Sequence, residues 1–161
     1  MNSAQCVECA ATLPESGGCQ SLLHELLALE AQVDGAPGGV PHFLAVATYN
    51  LQHPSTFTAA ALTGLRQSVA DVLAGRATIA DVRRRAGDGA RGAARVRRRA
   101  GELPNEAERR RLAAWPTRWP TTVLDVCRLT PAQYVDQVTR WATDTIRALD
   151  ETLGVPTTSG E

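Results

Sequence analysis

One segment, Pro41 to Ser55 (PHFLAVATYNLQHPS), restricts the fold more than any other part of the chain. Placed on a helix at about 100° per residue, His42, Val46, Tyr49 and His53 fall within roughly 60° of one another, while Leu44, Thr48 and Leu51 face the opposite way. A helix that is apolar on both sides is normally buried. The segment is therefore expected to form a central helix, with Pro41 in its first turn and Pro54 cutting it off behind His53. Its two imidazoles and its phenol then need hydrogen-bond partners or a metal. His42 and His53, eleven residues apart, are separated by roughly 16 Å of helical rise and cannot share one ion, whereas Tyr49 and His53, one turn apart, can reach a common ligand.

Helical spacing recurs on both sides of this segment. Leu22, Leu26, Leu29 and Val33 predict a first helix from Cys19 or Gln20 to Val33. Thr58 is a credible N-cap for a helix with Leu62, Leu65, Val69 and Val72 on its buried stripe and Gly75 as its stop. A shorter helix is expected from Thr78 to about Ala86, and a short one over Thr122 to Arg128. Thr130, Pro131 and Gln133 supply an N-cap, a first-turn proline and a capping-box partner for a last helix, with its stripe at Tyr134, Val138, Trp141, Thr145 and Leu149. With three Trp, two Tyr and two Phe in 161 residues, the core must be built from Leu, Val and Ala, which suits helices better than a sheet. The expectation is an all-α helical bundle of about four to six helices with an irregular N-terminal metal-binding arm. A chain of this length holds one core, so residues 1–155 read as a single domain with a Cys-bearing arm at 1–19, an Arg-rich loop at 87–105 and a disordered tail at 156–161.

The strongest chemical signal lies in the arm. Cys6 and Cys9 form C-x2-C, Cys19 follows, and His24 comes five residues later. Thiolates with an imidazole suit tetrahedral zinc. The binding energy would also order an arm too polar to have a core of its own. Cys19 must sit at or before the first helical turn for its sulfur and the His24 ring to converge, because five residues along a helix are about 140° apart. The fourth ligand is open among His24, His42, His53 and Cys127, and the metal set is expected to be Cys6, Cys9 and Cys19 with His24 or His42. Three protein ligands and a water would make a catalytic zinc, four a closed structural one. With an open shell, Glu25 or Glu30 and the stripe of Tyr49, Gln52 and His53 are the available acids and bases.

Charge and hydropathy narrow the partners. The seventeen basic residues are all arginine and balance seventeen acidic ones, but eleven of them fall between Arg83 and Arg111. No aromatic residue interleaves with them and the chain as a whole is neutral, so solvated helix faces are expected and a nucleic-acid partner is not. The start MNSAQCVECA lacks the pattern of a signal peptide, and no apolar run approaches the roughly 18 residues that span a bilayer. A cytoplasmic protein is expected, whose reducing surroundings favour metal-bound over disulfide-bonded cysteines.

CVECAATLPESGGC, LLHELLALE, PHFLAVATYNLQHPS and RWPTTVLDV together resemble an uncharacterised, mainly actinobacterial family classed as a domain of unknown function. In that family the cysteine pair looks like CxxCG, and here Ala10 stands in the glycine position. The resemblance marks Cys6, Cys9, Cys19, His42, Tyr49, Gln52 and His53 and implies no activity. Two functions follow from these readings. In one, Tyr49, Gln52 and His53 open into an interhelical pocket and assist a zinc-dependent transfer or hydrolysis on an unidentified small molecule, in specialised metabolism. In the other, the zinc is structural and the chain is a non-catalytic module that binds a partner or nucleic acid.

Overall fold

The computed structural model describes residues 4–91 and 95–154. Among these residues seven α-helices run in the order α1 (Cys19–Glu30), α2 (Val40–Gln52), α3 (Ala59–Leu73), α4 (Ile79–Arg91), α5 (Glu106–Ala113), α6 (Val123–Val126) and α7 (Tyr134–Leu153), with 3-10 turns at Pro54–Thr56 and Pro131–Gln133. Among the described residues there are isolated β-bridges and no strand. The architecture is the expected helical bundle with a cysteine-bearing arm. Three elements depart from expectation: the first helix stops at Glu30, short of the expected Val33. The fourth helix continues to Arg91, into the stretch read as loop. An eight-residue helix, α5, forms where only a loose connection was expected, because Asn105 and Glu108 complete a reciprocal capping box. The tail at 156–161 lies outside the described residues.

The segment singled out in the sequence is the hub. Helix α2 packs against α1, α3 and α7 and buries Leu44, Ala45, Ala47, Thr48, Leu51 and Gln52. Two polar bonds fix its direction relative to α7. At the start of both helices, Glu30 accepts from Tyr134 and pairs with His42; further along, Gln52 Nε2 donates to Thr145 Oγ1 at 2.9 Å. The two helices therefore run parallel, and α7 lays Val138, Trp141, Ala142, Ile146 and Leu149 along the shared core. Burying each such side chain stabilises the fold by about 1.5–3 kcal/mol before conformational entropy is counted.

The turn from α1 into α2 tolerates no side chain at Gly39, where a Cβ would stand 2.9 Å from the Gly35 carbonyl oxygen. The WPTRW segment packs back onto the bundle as an apolar turn: Trp115 and Trp119 are both buried, and Trp115 Nε1 donates to the Leu51 carbonyl at 2.7 Å. Among the described residues no helix is long and apolar enough to cross a membrane.

Candidate metal centre

The arm is a short hairpin. Cys6 and Ala11 pair through Cys6 N to Ala11 O at 3.0 Å, Ala10 N donates to Cys6 O at 2.9 Å, and Leu13 N closes on Ala4 O at 2.8 Å. Around this loop the N–H groups of Glu8 and Cys9 point at the Cys6 sulfur, and that of Ala11 at the Cys9 sulfur. Closing so tight a turn forces Ala10 to φ 58°, the single positive-φ non-glycine residue among those described. Glycine adopts this conformation freely, whereas alanine brings its Cβ against the following carbonyl.

Two helix ends meet the hairpin. Cys19 is the first residue of α1, and His53 is the C-cap of α2 with φ −128° and ψ 66°. Pro54 lacks an N–H and disfavours helical geometry in the residue before it, so His53 leaves the helix and swings toward the arm. Cys6, Cys9, Cys19 and His53 then bring three sulfurs and one ring nitrogen to within 4.8 Å of one another. Cys9 Sγ and Cys19 Sγ are 3.6 Å apart, and all the cysteines are free thiols. A zinc tetrahedron with Zn–S bonds of about 2.3 Å has sulfur–sulfur edges of about 3.8 Å.

The imidazole is set up to accept a cation. Its Nδ1 lies 2.7 Å from the Tyr49 carbonyl oxygen, an acceptor only, so Nδ1 carries the proton and Nε2 carries the lone pair. Nε2 is buried and has no partner in the protein. A metal-bound histidine is commonly oriented this way, its other nitrogen donating to a carbonyl. Burial also lowers the His53 pKa, favouring the neutral ring.

Electrostatics set the thiols apart. Burial would raise Cys6, but the N–H groups of Cys9 and Glu8 and the neighbouring thiols outweigh it and hold Cys6 below the usual range. Burial pushes Cys9 up to about 11, and burial with the charge of Cys9 pushes Cys19 higher still. Tyr49, stacked on His53, is pushed up to about 12 by burial and the nearby sulfurs. A bound dication offsets these costs, because a coordinating thiol is deprotonated outright.

The other expected site residues lie elsewhere. His24 is exposed on α1: five residues past Cys19, it is carried around the helix to the solvent side. His42 sits at the opposite end of α2 from His53, with Nδ1 2.8 Å from the buried carboxylate of Glu30. Neither joins the four-residue group; the imidazole in it is His53, one of the candidates for the fourth ligand and read also as an acid or base. Gln52 is fully buried, its amide donating to Thr121 O and Thr145 Oγ1, both at 2.9 Å. Cys127 Sγ donates to Leu124 O at 3.4 Å. Sequence reasoning missed Glu8, whose carboxylate accepts from Ser55 N at 2.9 Å and whose carbonyl accepts from Trp119 Nε1 at 3.4 Å. Beside it a hollow of about 170 Å³ is lined by Val7, Pro54, Leu112 and Trp115, small against the ~300 Å³ at which ligand pockets begin.

The sequence profile of a family of unknown function, DUF5946, matches residues 4–150. No curated protein and no solved structure matches the chain.

Proposed function

The chain belongs to the DUF5946 family of unknown function, and from that premise we propose that it is a zinc-binding helical protein whose one ion is structural, held by Cys6, Cys9, Cys19 and His53. The observation that carries this reading is the His53 ring: its Nδ1 is engaged by the Tyr49 carbonyl, its buried Nε2 has no protein partner, and the ring brings a nitrogen within 4.8 Å of three sulfurs. Three sulfurs and one imidazole are a zinc donor set. Four protein ligands close the tetrahedron and leave no position for substrate or water, which favours a structural ion over metal-dependent transfer or hydrolysis. Bound there, zinc would fasten the arm to the start of α1 and the end of α2, standing in for the core the arm lacks. The thiolates it needs suit a reducing, cytoplasmic setting.

On this reading the protein works as a binding module rather than a metalloenzyme, and nucleic acid is a poor partner for it. Many arginines of the basic middle are spent internally: Arg95 on Glu102, Arg97 over the Phe57 ring, Arg98 on the Phe57 carbonyl, Arg110 on Glu106 and Arg111 on Thr63.

The test is metal analysis of protein purified under reducing conditions, ligand by ligand. One zinc per chain is expected, lost in Cys9→Ser and Cys19→Ser and retained in His24→Ala and His42→Ala. Absence of a stoichiometric ion would defeat the proposal, and undiminished affinity in His53→Ala would reassign the fourth ligand.

A further inference from the structure

A second cavity is lined by none of the four residues of the thiol group. About 660 Å³ lies between α3 and α4, within the range of roughly 300–1,000 Å³ that holds drug-sized ligands. Its walls are held apart at both ends. At one end Asp71 on α3 is bound by Arg85 on α4 at 2.9 Å, by Gln67 at 2.9 Å and by Arg76 at 3.2 Å. At the other, the strand-like segment carrying Arg95 and Val96 is tied to the start of α3 through Thr58 N to Val96 O at 3.0 Å and Thr58 Oγ1 to Arg95 O at 2.7 Å. Between these ties the lining is mostly apolar, with Phe57, Ala61, Leu65 and Val82, and includes the polar Asn50 and Ser68. A Cβ added at Gly64, on the α3 wall, meets nothing within 4 Å.

The polar end has a sign. Asp71 is one negative charge met by two guanidinium groups, so the cluster of Asp71, Arg76 and Arg85 carries one surplus positive charge. Arg85 is half exposed and uses Nη1 on Asp71, leaving further N–H donors of its fork for a second anion. An apolar chamber ending in a part-satisfied guanidinium is complementary to a molecule with a flat or extended apolar body and one anionic group.

We propose that the cavity between α3 and α4 is a binding site for a small amphiphilic monoanion, its apolar body between the helices and its anionic group on Arg85. The inference goes beyond the metal reading and does not depend on it. A matched pair of fluorescent probes tests it on the metal-loaded protein: 8-anilinonaphthalene-1-sulfonate, and N-phenyl-1-naphthylamine, which keeps the rings and lacks the sulfonate. The sulfonate is expected to bind saturably, one per chain, about tenfold tighter than the neutral probe, the size of one charge-assisted hydrogen bond. Gly64→Phe fills the chamber and is expected to abolish binding of both while the near-ultraviolet circular dichroism stays native. Arg85→Gln is expected to remove the advantage of the sulfonate over the neutral probe, and Arg85→Lys to restore most of it. Equal affinity for the two probes, or undiminished binding to Gly64→Phe, overturns the proposal. So does a dimer in sedimentation that Gly64→Phe dissociates, since the cavity would then belong to a second copy.

Discussion

Tyr49 and His53 stack with ring centroids 4.1 Å apart and planes 23° from parallel, and the Tyr49 backbone carbonyl oxygen, 2.7 Å from His53 Nδ1, accepts its hydrogen bond. One residue thus supports the imbalance of the other's two nitrogens, leaving Nε2 free to ligate. Tyr49→Phe preserves both ring and carbonyl, so metal affinity should be unchanged within about twofold. Tyr49→Ala removes a stacking contact of about 0.5–1.5 kcal/mol and should weaken metal binding up to about tenfold. His53→Ala should weaken it further than either. Competition against a chromophoric chelator ranks the three; a large loss in Tyr49→Phe would place the hydroxyl, and not the ring, at the centre.

Metal removal should free the arm and spare the bundle. The hairpin's own bonds are few, and its links to the body run through Cys19, His53 and Glu8. Chelation is expected to open residues 10–18 to protease while the far-ultraviolet helical signal persists, and to shift Trp119 emission as its bond to Glu8 O is lost. Equal protease resistance with and without metal would show that the ion does not fasten the arm.

Ala10 is strained at φ 58°. The left-handed conformation costs an L-residue roughly 1–2 kcal/mol, and glycine returns about 0.4–1 kcal/mol of that as unfolded-state entropy. Ala10→Gly should therefore stabilise the metal-loaded protein by about 0.5–1 kcal/mol, a rise in Tm of about 2–4 °C per kcal/mol. Ala10→Val should lower Tm. Thermal unfolding of the two variants distinguishes strain from an indifferent position.

Asp71 supplies a pH signature. Its carboxyl is held below the ordinary 3.8 by Arg85 foremost, against burial, with help from Gln67 and Arg76. A depressed folded pKa contributes stability that is fully present above the unfolded value and is lost as pH falls through the folded one. Asp71→Asn should cost about 1–2 kcal/mol at neutral pH, modest because both arginines are half exposed or more. That gap between variant and parent should close as pH drops below 3.8. Denaturant midpoints at pH 7 and pH 3 measure it; a gap constant across that interval would deny the carboxylate this role.

Glu30 is buried between two partners, accepting Tyr134 OH at 2.5 Å and pairing with His42 Nδ1 at 2.8 Å. Burial and this carboxylate push the Tyr134 phenol far up, so Tyr134 stays a donor across the working range. Glu30→Gln and Tyr134→Phe should each destabilise by about 1–3 kcal/mol. Their coupling in a double-mutant cycle should be about 0.5–3 kcal/mol. Independent, additive losses would mean that the bond contributes nothing of its own.

The bundle was legible because local rules set it. Thr58 caps α3 by accepting from Ala61 N, Thr130 and Gln133 form their capping box, and Gly154 ends α7 at φ 65°. Each of these is a contact within a few residues. The misplaced boundary of α4 and the unexpected α5 have the same origin in reverse: arginine-rich sequence has no apolar stripe to count, and α5 rests on its capping box and a few contacts to α3.

The amino-acid order determined most of the helices, the central place of α2, and an arm with Cys6 and Cys9 at metal-ligand spacing, since periodicity, capping and a two-residue gap are properties of neighbours along the chain. Which histidine meets those sulfurs was decided only in three dimensions. His24, His42 and His53 are equivalent as chemistry. What separates them is the angle at which α1 turns His24 to solvent, the buried Glu30 that engages His42, and the exit at Pro54 that brings His53 back against the arm. These are relations between residues up to 47 positions apart, such as Glu8 and Ser55, and no pattern along the chain encodes them.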